Sequence, residues 1–143
     1  MPAILLVDEN GRGLRERYAG EKIAGTFFMF PAVTSMFSTK SKSWIEVSQF
    51  IWLANEFNIS ECKWNVIVSQ IGTSATGTVE LFNYTDNVSI ASQSISEGSN
   101  FLSLSSIVSL TFTSNKMLGI RIRKDTGSGT VEINSSMLTV REI

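Results

Sequence analysis

Residues Asn65–Glu80 read NVIVSQIGTSATGTVE and residues Gly119–Glu132 read GIRIRKDTGSGTVE, so the tetrapeptide GTVE occurs twice, 52 residues apart. In each copy an alternating apolar segment comes first. A turn rich in Gly, Ser and Thr follows, and the tetrapeptide comes after it. Strand-like segments on both sides of such a turn are typical of a β-hairpin. The repeat therefore predicts a β-sandwich built from two related hairpins.

The sequence after Gly25 continues as short strand-like segments separated by polar turns. Apolar residues alternate with Ser and Thr along most of these segments, as in residues 101–113, where Leu102, Leu104, Val108, Leu110 and Phe112 fall on even positions. Such alternation indicates strands with one buried face. We therefore predict an all-β protein, an antiparallel and jelly-roll-like β-sandwich of about eight strands over residues 25–143.

Strict alternation along Ser43–Leu53 predicts how one long strand is oriented. It places Trp44, Phe50 and Trp52 on one face and Ile51 with Leu53 on the other. Large aromatic residues on one face form either a core or an exposed platform on which sugar rings stack. We favour the core. If the face is exposed, the predicted sugar-binding residues are Trp44, Trp52 and Tyr84.

Residues 1–24 differ in composition from the rest and are predicted to form an extended N-terminal arm. An apolar tip, Ile4–Val7, is followed by the turn signal Asp8–Gly11 and then by a charged stretch. The tip needs burial on its own domain or on a neighbouring subunit, because an exposed apolar cluster is unfavourable in water. The residues of the arm that we expect to contact a partner are Ile4, Leu5, Leu6, Val7, Arg12 and Arg15.

The composition limits the classes of function. Only 17% of the 143 residues are charged, whereas 21 are Ser and 12 are Thr, and the net charge is −1. The sequence has no basic block, so it does not predict a nucleic-acid-binding protein. It also lacks a secretory signal and any apolar run long enough for a membrane helix, so we expect neither a signal peptide nor a membrane contact.

Catalytic chemistry finds little support in the sequence. The chain has no His, and its one Cys, Cys62, is expected to be a buried thiol. The acidic residues are dispersed. Glu80 and Glu132 occupy matching places in the repeat and are expected either to face each other or to pair with Arg121 or Arg123 across a strand. We predict no catalytic, cofactor-binding or metal-binding residue, with calcium bound at a turn such as that of Asp86 as a minor alternative.

One segment carries a resemblance to a known class of proteins. Residues 77–94 read GTVELFNYTDNVSIASQS and lie in a chain with a Met-Pro start, a distinct arm and Ser/Thr-rich strands. This profile resembles the small single-domain jelly-roll or β-sandwich structural proteins of tailed-phage virions, which decorate capsids or form tail and fibre parts. The resemblance covers a fraction of the chain.

The resemblance implies a non-enzymatic virion protein. Its expected role is that of a capsid decoration, or cement, protein that stabilises the shell through subunit contacts. It implies a homotrimer, the major capsid protein or another virion protein as partner, assembly in the host cytoplasm and a location in the virion. The alternative from the aromatic residues is a carbohydrate-binding adhesin, or a receptor-binding module of a tail or fibre, with a surface glycan as partner.

Overall fold

A computed structural model describes residues 27–57 and 59–142 of the chain, without the side chains of Phe27 and Phe28. The predicted arm therefore lies outside the described residues. So do all of its expected contact residues, which are Ile4, Leu5, Leu6, Val7, Arg12 and Arg15.

The described residues form nine β-strands and no helix, which confirms the predicted fold class. In chain order the strands are β1 (Phe27–Val33), β2 (Phe37–Thr39), β3 (Ile45–Trp52), β4 (Ile59–Ile71), β5 (Ala75–Asn83), β6 (Val88–Ile95), β7 (Leu102–Val108), β8 (Lys116–Gly127) and β9 (Thr130–Glu142).

The strands form two antiparallel sheets that pack face to face. The first sheet has the order β1-β9-β4-β7, and the three-residue strand β2 pairs with β9 beyond the end of β1. The second sheet has the order β3-β8-β5-β6. Since β1 and β2 share one edge of β9, the nine strands fill eight positions. Two four-stranded sheets with this interleaved order make a jelly roll.

The two copies of the repeat are not hairpins, so this part of the prediction was wrong. β4 lies in the first sheet and β5 in the second, whereas β8 lies in the second and β9 in the first. At each turn the chain therefore crosses between the sheets. Instead, the two copies pair with each other, β4 with β9 and β5 with β8, and these pairs form the middle of both sheets.

The two turns of the repeat, residues 72–74 and 128–129, pack against each other; we call them the corners. The amide of Gly129 donates to the carbonyl of Ser74 at 3.2 Å, and the hydroxyls of Thr73 and Ser128 are 2.9 Å apart. A Cβ atom on Gly129 would overlap the carbonyl oxygen of Thr73. The contact is thus made by backbone, and a side chain has no room there.

The core lies between the sheets and consists of the inward residues of both copies. Val66, Val79, Ile122 and Val131 are fully buried. Trp64, also fully buried, donates its indole N–H to Ser136 Oγ at 2.7 Å, so its polar atom is satisfied inside the core. The apolar alternation seen in the sequence therefore corresponds to the buried faces of the central strands.

The favoured core position is confirmed for Phe50 and Trp52 but is wrong for Trp44, which does not share their face. The register between β3 and β8 shifts between Glu46 and Ser48, which marks a β-bulge. One extra residue reverses the alternation. As a result Trp44 lies on the outer face, whereas Trp52 faces inward and is 6% exposed. Ile51, on the outward side after the bulge, is 61% exposed.

The corner contact gives a prediction about Gly127, which has a φ of +87° and would place a Cβ against the carbonyl oxygen of Ser74. We expect Gly127→Ala to lower the free energy of unfolding by roughly 2–4 kcal/mol, because overpacking adds to the cost of a left-handed backbone. Urea unfolding measures the change.

The matched control for this prediction is Gly72→Ala, in the opposite corner. Gly72 has a φ of +77° but no atom within 4 Å of the added Cβ. We expect this variant to lower the free energy of unfolding by only about 1–2 kcal/mol, because only the cost of the left-handed backbone remains. Equal losses in the two variants would show that the contact between the corners does not matter for stability.

Candidate binding surfaces

The outer face of the second sheet carries a stack of aromatic rings and a guanidinium, which we call the aromatic ladder: Trp44, Phe82, Tyr84 and Arg121. The Arg121 guanidinium carbon lies 4.2 Å from the Trp44 ring centre and 3.7 Å from that of Phe82. Tyr84 meets Phe82 edge-on, with ring centres 4.9 Å apart. The ladder joins β3, β8 and β5, and its cation–π contacts stabilise the charged group between the rings.

The charges beside the ladder are paired. Arg121 binds Glu80 across the β5–β8 pair, with Nη2 at 2.6 Å and Nε at 2.8 Å from the same carboxylate oxygen. This confirms the predicted pairing of Glu80. Arg123 Nε lies 2.8 Å from Asp125 Oδ1, and Thr78 donates to the other oxygen of Asp125. With both arginines engaged by carboxylates, the face is close to neutral.

Tyr84 contributes a polar atom that lacks a hydrogen-bond partner among the described residues. Burial raises the pKa of its hydroxyl, and the nearby negative charge of Glu46 raises it further. The hydroxyl is therefore protonated at neutral pH. Its oxygen atom is buried, so the structure does not expose it to a ligand on this face.

Of the three residues predicted to bind sugar, the structure places two on this face and the third elsewhere. Trp44 and Tyr84 are half-buried on the outer face and are linked through Phe82 and Arg121. Trp52 faces the other way and donates its indole N–H to the Leu110 carbonyl at 3.1 Å. A sugar that stacks on Trp44 has to compete with Arg121 and with Arg123, whose guanidinium carbon is 4.4 Å from the ring centre.

A second surface is an apolar groove of about 390 Å³ between the edges of the two sheets, formed by β1 and β3. We call it the edge groove. Its main apolar lining residues are Phe30, Phe50, Ile51, Trp52, Leu53 and Phe57. Glu56 is the one charged residue that lines it within the described part of the chain. The volume is in the range of sites that hold small ligands or side chains.

The floor and the rim of the edge groove differ in accessibility. Phe30, Trp52 and Phe57 form a cluster of rings with centres 5.3–6.1 Å apart. Ile51 and Leu53 form the rim and are 61% and 49% exposed. Among the described strands, β1 pairs only with β9 and β3 only with β8, so each has an edge without a partner strand. The groove therefore combines apolar side chains with two sheet edges that can accept a strand.

The sequence did not reveal the edge groove, because it depends on the bulge in β3. Strict alternation grouped Trp52 with Trp44, whereas the bulge turns Trp52 into the groove and Ile51 with Leu53 to its rim. A sequence signal was nevertheless present. Ile51 and Leu53 are large apolar residues on a face that needs few of them if it is only in contact with water.

Cys62 has the environment of an inert thiol. It is 1% exposed, and burial, followed by the charge of Glu61, raises its pKa to about 12. The expected buried thiol is thus confirmed. Because the thiolate is the reactive form, Cys62 is a poor nucleophile at neutral pH.

Acidic side chains do not gather into a metal site in the described ranges, where no three His, Cys, Asp or Glu residues are close enough to share an ion. The carboxylate of Asp86, at a turn considered for calcium, is 2.8 Å from Lys116 Nζ and also accepts from Asn83. The hydrogen bond from Lys116 is the main cause that lowers its pKa. In the same ranges there is no helix that could cross a membrane.

The sequence matches no protein-family model and no curated protein sequence. The VP2 subviral particle of infectious bursal disease virus is similar in structure, with a TM-score of 0.46 and 12% identity over 99% of this chain and 38% of that chain. The CBM22-1–GH10 modules of endo-1,4-β-D-xylanase 10B of Clostridium thermocellum, complexed with xylohexaose, give a TM-score of 0.43 and 14% identity over 80% and 29% of the two chains. This chain spans less than two-fifths of either match, and likenesses of this strength assign no function.

The aromatic ladder gives a prediction about stability. Arg121→Met keeps most of the side chain but leaves Glu80, whose side chain is 10% exposed, without its cation. We expect a loss of roughly 2–4 kcal/mol in the free energy of unfolding, because a nearly buried carboxylate is left without a partner. Urea unfolding at neutral pH measures it.

The matched control is Arg123→Met on the same strand. Arg123 and Asp125 have side chains that are 40% and 32% exposed, so this pair contributes less than about 1 kcal/mol. The double variant Arg121→Met with Glu80→Gln should recover part of the loss. Similar losses in the two single variants would contradict the special position of Arg121.

Proposed function

We propose that this chain is a non-enzymatic structural protein of a virion. In this proposal it decorates the capsid and stabilises the shell through subunit contacts. Its partners are further copies of itself, with a trimer as the expected assembly, and the major capsid protein or another virion protein. The observation that carries the proposal is the edge groove, an apolar surface beside two sheet edges at which no further described strand pairs.

A second apolar region supports a protein with more than one neighbour. On the opposite edge of the first sheet, the segment that contains β7 exposes Phe101 by 62% and Ile107 by 72%. Edge strands with exposed apolar residues pair readily with other chains. The two regions lie at opposite edges of the first sheet, so the domain can contact two partners at once.

The arm provides the test of this proposal. We expect a chain lacking residues 1–24 to keep the β-sandwich and to lose assembly, because the apolar tip Ile4–Val7 is removed. Circular dichroism reports the fold, and light scattering coupled to size-exclusion chromatography reports the solution mass. Unchanged assembly of the truncated chain would contradict the role of the arm, and a monomeric full-length chain would contradict the trimer.

The second candidate function is carbohydrate binding, as in an adhesin or a receptor-binding module of a tail or fibre. Trp44 and Tyr84 on one outer face favour it. Flat aromatic faces stack on sugar rings. Trp52 does not belong to this face and has no part in this version of the hypothesis.

A glycan array separates the two functions. If the ladder binds sugar, we expect Trp44→Ala to reduce binding at least tenfold, which corresponds to the loss of about 1.4 kcal/mol from one stacking contact. Phe101→Ala, an exposed aromatic residue in the segment before β7, is the control and should bind normally. An array without signal for the full-length chain would count against this function.

A further inference from the structure

We infer that the edge groove is the acceptor for the apolar tip, Ile4–Val7, of a second copy of this chain. The inference rests on the proposed function, in which copies of the chain assemble through the arm. It adds the place on the domain where the arm binds, and thus the contact that joins one copy to the next.

The edge groove and the tip have matching apolar surfaces. The groove has an aromatic floor, Phe30, Trp52 and Phe57, and an aliphatic rim, Ile51 and Leu53. The tip has four large apolar residues in succession, and residues 1–24 contain no comparable run. Full burial of an aliphatic side chain contributes about 1.5–3 kcal/mol. An extended segment turns alternate side chains to one side, so two of the four residues enter the groove.

The backbone at the edges of the groove also suits an extended segment. β1 and β3 each have an edge without a partner among the described strands. A short extended segment that lies along either edge gains main-chain hydrogen bonds in addition to its side-chain contacts. The segment Ala3–Val7 contains the tip, and its sequence predicts a short apolar strand. An extended backbone of this kind is suited to such an edge.

The length of the arm is sufficient for contact with a second copy. Phe30, at the groove, is only three residues from the start of β1 at Phe27. The stretch from Gly11 to Phe27 can span up to about 50 Å, at roughly 3.3 Å per residue, so the tip can reach the groove of a neighbouring copy.

Disulfide trapping between two different variants tests the inference. Leu5→Cys and Leu53→Cys are purified separately, mixed under native conditions and oxidised mildly. We expect a covalent dimer on a non-reducing gel from the mixture, at a yield several-fold above either variant alone. Cys62 gives little background, because it is 1% exposed and its pKa is about 12. The control pairs Leu5→Cys with Ile107→Cys, on the opposite edge of the first sheet, and should not form this product.

The outcomes distinguish the inference from the proposed function. A product within one chain, formed by the double variant Leu5→Cys with Leu53→Cys but not by the mixture, would show that the tip occupies its own groove and overturn the inference. An oligomeric solution mass without any trapped product would also overturn it, while the proposed function stands. A monomeric solution mass without a trapped product would overturn both.

Leu53→Asp, at a half-exposed position that spares the core, should convert the oligomer to monomers while the circular dichroism spectrum is unchanged.

Discussion

The structure depends on the backbone contact between the two corners. At that point the amide of Gly129 meets the carbonyl of Ser74, and neither Gly127 nor Gly129 has room for a side chain. From this junction β4 runs along β9 in one sheet and β5 runs along β8 in the other. Close approach of the corners therefore sets the register of both central pairs at once. The remaining strands add to these pairs, and the core lies between them.

The two long sides of the sandwich differ. On one side Gln93 of β6 donates to the carbonyl of Ser105 and the hydroxyl of Ser106, which ties the second sheet to the first. On the other side β1 and β3 leave the edge groove between them. The bonded side holds the sheets together, while the groove side presents apolar surface. The groove rim is thus separate from the central strand pairs, and a change at the rim leaves those pairs intact.

The sequence predicted the features that depend on local pattern, and the others required three-dimensional context. Alternation along β4, β8 and β9 was enough to identify strands and their buried faces. Glu80 was expected to bind an arginine because matching positions of the repeat face each other, and its partner is Arg121. The hairpins were predicted wrongly, because a turn rich in Gly, Ser and Thr suits a sheet crossing as well as a hairpin. Which of the two forms is decided by the pairing partners, which here lie in the other copy of the repeat. The bulge in β3 has no distinctive residue, so the separation of Trp44 from Trp52 and the edge groove were not predictable.

The bulge in β3 also has an evolutionary consequence. A single extra residue at this place decides which side chains of the following half-strand belong to the interior and which belong to the surface. Deleting that residue would exchange the roles of Trp52 and Ile51, while the pairing of β3 with β8 could be kept. The identity of a partner could therefore change through one insertion or deletion in an edge strand, with the central strands of both sheets unaltered. A jelly roll built in this way can acquire new neighbours without acquiring a new fold.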